Sequence, residues 1–306
     1  LTWSDVYGGL PEMRVRKRKY RVHLLDVVIF TLVVAAIAYI GYRVDSVLVY
    51  KWDWSAIPNY LFRYDEENQL LVANLLILGF LTTLRIAFWG IILASVLGVA
   101  LGIARTSKRL FPRLVGWAYV GFVRNIPPVP FLFLFYFFIS SQILPLISID
   151  EFLRSASPST IRILEILFGQ ANLITNFLSG LISLSLMMAA YIAEIVRAGI
   201  QAIPRGQIDG GYSIGLSRFQ VMRYIVLPQA FQRIVPPLAG QLIILIKDSS
   251  LVALISIQEL SFMAMEIAIS EQRFFEVWIF TGFMYFVVCF SLALVFDRLE
   301  RRMAQH

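Results

Sequence analysis

Six stretches of this 306-residue chain are apolar for about the thickness of a bilayer core: 23–42, 75–104, 114–139, 174–196, 234–257 and 275–296. A helix needs about 20 such residues to cross, because hydrocarbon offers no partner for an unpaired backbone amide. The pattern therefore predicts an all-α, polytopic membrane protein. The third stretch contains Pro127, Pro128 and Pro130, and the fifth is interrupted by Lys247-Asp248. Between 141 and 173, Pro145, Pro158 and an apolar run at 161–168 broken by Arg162 and Glu165 predict short interfacial helices instead of another span.

The first stretch follows a basic cluster, Arg14, Arg16, Lys17, Arg18, Lys19 and Arg21, and Ala36-Ile37-Ala38 resembles a cleavage site. Its apolar run exceeds the 7–15 residues of a signal-peptide core, so it reads as a transmembrane helix.

Composition agrees with the spans. The chain is 58% hydrophobic and 15% charged, against about 45–50% and about 25% for soluble domains. Its single cysteine, Cys289, excludes an intrachain disulfide framework, and two histidines, His23 and His306, leave little for a metal site. A net charge of +7 suggests nucleic acid only until its distribution is read, because the basic residues flank apolar runs. Eighteen Lys and Arg lie before the first span or in 105–113, 197–233 and 298–302, and six lie in 42–74, 140–173 and 258–274. The positive-inside rule then places both termini in the cytoplasm. Asp65, Glu66 and Glu67, which follow Tyr60 and Tyr64, fall outside.

The cytoplasmic segment 200–230 carries the most local information. Pro204 can open a short helix, where the first amides lack partners, and Asp209 in an early turn complements the macrodipole. Gly215 suits a turn or a close backbone approach. Ser217 is placed to cap a second helix, with Gln220 as its capping-box partner. Phe219, Met222 and Val226 give that helix an apolar face, and Pro228 ends the arrangement. Two short helices across a glycine form either a docking knob for a cytoplasmic partner or a loop packed beneath its own spans.

The same segment resembles the permease subunits of bacterial ATP-binding cassette importers, in the polar amino acid uptake family. Their loop pattern of Glu-Ala-Ala, three residues, Gly, nine residues and Ile-x-Leu-Pro becomes Asp209-Gly210-Gly211, Gly215-Leu216 and Ile225-Val226-Leu227-Pro228. Ala190-Tyr191-Ile192-Ala193-Glu194-Ile195-Val196-Arg197, Ala202-Ile203-Pro204-Arg205-Gly206-Gln207, Lys247-Asp248-Ser249-Ser250-Leu251 and Arg124-Asn125-Ile126-Pro127 extend the likeness over about 75–300. The departures are Asp for Glu, paired glycines for alanines, and extra prolines after Arg124. Each Gly lowers helix propensity by about 1 kcal/mol relative to Ala.

The resemblance implies a five-helix importer permease core plus one N-terminal transmembrane helix, in the bacterial inner membrane. Residues 1–70 would be the accessory basic segment, helix and outer loop. Residues 71–300 would be the core, with a coupling loop at about 199–230, and 301–306 a cytoplasmic tail. The chain would be a transport subunit and not an enzyme, with no cofactor of its own. ATP and magnesium would belong to two separate cytoplasmic ATPases, since no Gly-x-x-x-x-Gly-Lys-Ser/Thr loop occurs here. An extracytoplasmic amino-acid-binding protein, a second identical or paralogous permease and membrane lipid complete the partners. Another small polar solute, such as an amino-acid derivative or opine, is the alternative cargo; a non-transporting assembly or signalling subunit is the alternative role.

Charged residues at membrane depth should face protein or water. Lys247 and Asp248 form either a structural pair or interface network, or contact substrate and gate the pathway, with Ser249 and Ser250 hydrogen-bonding in the interrupted helix. Arg124 either recognises a substrate carboxylate or holds the broken helix ends. Glu194 and Arg197, three apart, suit a local ion pair that positions the coupling loop or takes part in gating. Arg85 shares a face with Thr82 and Trp89, which favours helix-interface packing.

Overall fold

A computed structural model of the chain describes residues 23–47, 50–66 and 69–303. The basic cluster 14–21, Glu67 and the end of the tail, 304–306, lie outside them. The chain divides into two compact units, Leu1–Trp52 and Asp53–His306. The first contains α1 (Leu24–Val47), whose apolar residues form the first candidate span, Leu24–Arg43.

In the second unit, α2 (Ile57–Leu61) leads into a hairpin of β1 (Phe62–Asp65) and β2 (Leu70–Ala73), paired with Phe62 opposite Ala73 and Asp65 opposite Leu70. Everything after it is helical: α3 (Leu75–Thr106), α4 (Leu110–Asn125), α5 (Pro128–Phe138), α6 (Leu144–Ile147), α7 (Ile149–Ser155), α8 (Pro158–Phe168) and α9 (Ile174–Gln201). Next come α10 (Arg205–Ser213), α11 (Arg218–Val221), α12 (Leu227–Asp248), α13 (Leu260–Ser270) and α14 (Phe274–Met303). Among the described residues six helices are long and apolar enough to cross a membrane.

Two spans depart from their sequence expectations. The third breaks instead of running through its prolines: α4 stops at Asn125, Ile126 is extended, and α5 restarts at Pro128. A residue before proline is pushed out of the α region, so Pro127 dictates the break. Its candidate span becomes Pro128–Ile147, and the segment after it holds short helices, as the sequence predicts. The fifth begins far earlier, as Arg218–Ile255. Pro228 does not end the cytoplasmic arrangement, because a π-helical turn at Met222–Val226 joins α11 to α12 and leaves Pro228 in the first turn of α12. The π turn, in which the Leu227 amide donates to the Met222 carbonyl, accommodates the proline that lacks an N–H.

The core forms where α9 packs along α3. Small residues at 90, 94, 98 and 102 form one ridge on α3, and all four are buried. A Cβ on Gly98 would lie 2.7 Å from the Ile192 side chain, and one on Gly102 would lie 2.6 Å from that of Val196 and 2.9 Å from the Ala193 carbonyl. Such a small-xxx-small ridge lets helix backbones approach where no hydrophobic effect drives association. In its most apolar window α9 is 67% buried and α14 only 6%, so α9 is the central element and α14 a peripheral one. Leu181, Leu184 and Met188 of α9 pack in one core with Ile86 of α3, Phe131 of α5 and Leu245 of α12.

Candidate functional site: coupling knob, ion cluster and interrupted helix

After α9, buried Ile203 and then Pro204 turn the chain into α10. Asp209 sits at the fifth position of α10, beyond the first turn, so the macrodipole does not explain it. The helix ends in a Schellman motif: the Leu216 amide donates to the Gly211 carbonyl at 3.1 Å and the Gly215 amide to that of Tyr212 at 3.0 Å. Gly215 has φ +82°, and a Cβ there would meet nothing within 4 Å. The turn requires this glycine, and close approach does not.

Close approach belongs to Gly211 instead, which is buried. A Cβ on it would lie 2.5 Å from Ile225 and 3.0 Å from Val221. Ser217 accepts from the Gln220 amide at 3.3 Å while the Gln220 side chain accepts from the Ser217 amide at 2.8 Å, a complete capping box. Asp209, Gly210, Leu227 and Pro228 are exposed, and Leu216 is half-buried against the core. Ile214 and Phe219, on either side of the glycine bend, are 75% and 72% exposed.

Behind this knob, Glu194 of α9 gathers three guanidiniums. Arg197 pairs with it one turn on, Arg105 reaches it from the end of α3, and Arg124 approaches to 3.8 Å from the end of α4. The Glu194–Arg197 pair is local, as the sequence suggests. Arg105 was legible only as one more cytoplasmic charge, since nothing along the chain relates positions 89 residues apart. Arg105 and Arg124 differ in exposure: their side chains are 15% and 43% exposed, and Arg124 also lies over the Tyr191 ring at 5.6 Å. One carboxylate thus ties three helices together, and Arg124 keeps the most open head group.

The α-helical geometry of α12 ends immediately after Lys247 and Asp248. The following segment, Ser249–Ile255, is a 3-10 helix that ends with Ser256 in the left-handed region. Ser249 donates to the Ile246 carbonyl and Ser250 to that of Lys247, both at 2.7 Å. The two hydroxyls satisfy acceptors that a regular helix would have paired. Lys247 is exposed and Asp248 half-buried, and among the described residues neither makes an ion pair. Lys247, Ser250, Ser261, Thr281 and Tyr285 share a cavity of about 490 Å³.

Arg85 and Trp89 cap a helix end. From α3, Arg85 Nε donates to the Ile166 carbonyl at 3.0 Å and Trp89 Nε1 to that of Leu167 at 3.1 Å, fixing the C-terminus of α8. Thr82 turns to its own helix, donating to Leu78.

Residues 94–305 match the model of one family, the binding-protein-dependent transport system inner membrane component. The chain belongs to it. This permease is 31% identical over 257 residues to the glutamate/aspartate import permease protein GltK of Escherichia coli O6:H1, covering 84% of this chain and 100% of that one. It is 32% identical over 253 residues to the glutamine transport system permease protein GlnP of Escherichia coli K12, covering 83% and 98%. A crystal structure of an amino acid ABC transporter with histidines superposes with a TM-score of 0.63 at 25% identity, over 83% of this permease and 100% of that chain. The inward-facing MetNI methionine transporter, at 17% identity and a TM-score of 0.52 over 75% and 96%, shares the fold. The permease is thus a multi-pass inner-membrane component of an ABC amino-acid import system. Among its described residues no three His, Cys, Asp or Glu gather as a metal site.

Proposed function

We propose that the permease works as one of two transmembrane subunits, identical or paralogous, above two cytoplasmic ATPases that supply ATP and magnesium. An extracytoplasmic binding protein delivers a polar amino acid. The knob α10–Gly215–α11 takes up ATPase movement, with Asp209, Gly210, Gly211, Gly215, Leu216, Leu227 and Pro228 in or beside its contact. Exposed Ile214 and Phe219 at the bend carry this reading, because two large apolar side chains on a rigid cytoplasmic projection fit a protein partner better than water. Glu194 and Arg197, with Arg105, hold the knob's root to α3. Arg124, Lys247 and Asp248 border the translocation pathway, while Ser249 and Ser250 maintain the helix break that presents Lys247 and Asp248. Residues 1–70 serve as an accessory attachment to the core, and both termini face the cytoplasm.

The test is ATP-dependent uptake in vesicles that contain the permease, its ATPase and its binding protein, scanned across acidic, basic and neutral amino acids. Accumulation of at least one amino acid is expected. A stable complex that hydrolyses ATP yet accumulates none of them would exclude transport.

A further inference from the structure

Glu259 lies in the short connection between the 3-10 segment and α13, where the sequence reading assigned no role to it. Its side chain is fully buried. Three donors from three elements converge on its carboxylate. The Phe262 amide, in the first turn of α13, donates to Oε1 at 2.9 Å. The Thr83 hydroxyl of α3 and the Tyr285 hydroxyl of α14 donate to Oε2 at 3.1 and 2.7 Å.

The directions of these bonds agree with one another. Thr83 Oγ1 accepts the Leu260 amide at 3.2 Å, which leaves its own proton free for Glu259. Tyr285 Oη lies 3.0 Å from the Ser261 hydroxyl, which can donate to it while Tyr285 donates onward. Every proton in the network then points toward the carboxyl group, which favours its ionised form against the larger, opposing effect of burial. The N-terminus of α13 adds its partial positive charge. Without such partners a buried carboxylate would be expensive, so the three elements are held in register by the need to keep it satisfied.

Backbone packing reinforces the site. Gly79, one turn before Thr83 on α3, faces the same connection, and a Cβ there would lie 3.0 Å from both the Glu259 carbonyl and Leu260 Cα. The 3-10 segment begins directly after Lys247 and Asp248, the last two residues of α12, and the connection at its far end is secured at Glu259. Tyr285 and Ser261, members of the Glu259 network, also line the 490 Å³ cavity that receives Lys247.

We infer that Glu259 is a positioning residue for transport, clamping the interrupted helix to α3 and α14 so that Lys247 and Asp248 keep their place on the pathway. This rests on the reading of Lys247 as a pathway residue given above. Glu259→Gln keeps the length but turns an amide donor toward hydroxyls that now donate. Tyr285→Phe removes one hydrogen bond and preserves the ring.

Uptake by the reconstituted complex, normalised to assembled complex, should be measured for both variants, for Lys247→Met, and for Tyr285→Phe combined with Lys247→Met. The apparent KM for the amino acid should rise about tenfold in Glu259→Gln and about threefold in Tyr285→Phe. The combined variant should be no worse than Lys247→Met alone, because the clamp acts through that residue. Losses confined to complex yield or thermal stability, with KM unchanged, would make Glu259 structural only and overturn the inference. So would fully multiplicative KM changes in the combined variant. An unchanged KM in Lys247→Met removes the pathway reading, and the inference with it. A raised KM in Lys247→Met beside normal values in Glu259→Gln and Tyr285→Phe removes the inference alone.

Discussion

Replacing Gly215 tests whether the bend between α10 and α11 is set by backbone conformation. At φ +82°, with nothing within 4 Å of a built Cβ, an alanine would suffer no contact, only the intrinsic strain of the left-handed region. That strain is about 1–2 kcal/mol for an L-residue, which corresponds to a factor of about 5–30 in the population of the bent form. If only the bent knob engages the ATPase, binding-protein-stimulated ATP hydrolysis at limiting ATPase should need about 5–30 times more ATPase subunit in Gly215→Ala. Gly215→Asn should be milder, since asparagine visits the left-handed region routinely. Gly215→Leu should insert into the membrane normally yet lose stimulated hydrolysis and uptake. Titrating purified ATPase into nanodisc-embedded permease reads all three. Equal, wild-type titrations for Ala, Asn and Leu would show that the turn does not control docking.

Three further outcomes follow from the packing and the charges. Gly102→Ala places a methyl 2.9 Å from the Ala193 carbonyl and closer still to Val196; overpacking of about 1–3 kcal/mol should lower the thermal midpoint of the detergent-solubilised permease. Glu194→Gln leaves Arg105, Arg124 and Arg197 facing one another without a carboxylate, so thermal stability should fall further than in Arg124→Gln, which removes the longest and most exposed of the three pairings. Ahead of α2, the Ser55 hydroxyl and then the Arg273 guanidinium hold the Asp53 carboxyl below its usual range. Its folded pKa is depressed, so the pairing is present above the ordinary aspartate value of 3.8 and is lost as pH falls through the lower folded value. Asp53→Asn should abolish that acid-side component in a pH series of thermal melts.

The spans were legible because 20-residue apolar runs are a local signal, and the capping box was legible because Ser217 and Gln220 stand at fixed spacing. Local signals also misled. Pro228 looked like a terminator, yet the π turn before it absorbs the proline within a continuous helix. Gly215 and Gly211 were both visible as glycines, but a sequence does not distinguish a residue needed for its φ from one needed for lack of volume. Lys247 and Asp248 stood out against their apolar neighbours. Glu259 did not, although it is the more completely buried titratable group, because its partners Thr83 and Tyr285 lie 176 and 26 residues away. The Arg105–Glu194 contact was hidden for the same reason. The hairpin at 62–73 is too short for its alternation to outweigh the hydrophobic runs beside it.

The capping box at Ser217 and the charged break at Lys247-Asp248 are the two ends of one rod. From 218 to 248 the chain is helical without an intervening loop, through the π turn and past Pro236 and Pro237. At 1.5 Å per residue, those 31 residues span about 46 Å. A tilt of about 5° imposed at the cytoplasmic end would sweep the far end through about 4 Å, more than the length of a hydrogen bond. On the coupling role proposed for the knob, a slight displacement there would be enough to make or break polar contacts at the far end, with Glu259 holding the segment that follows.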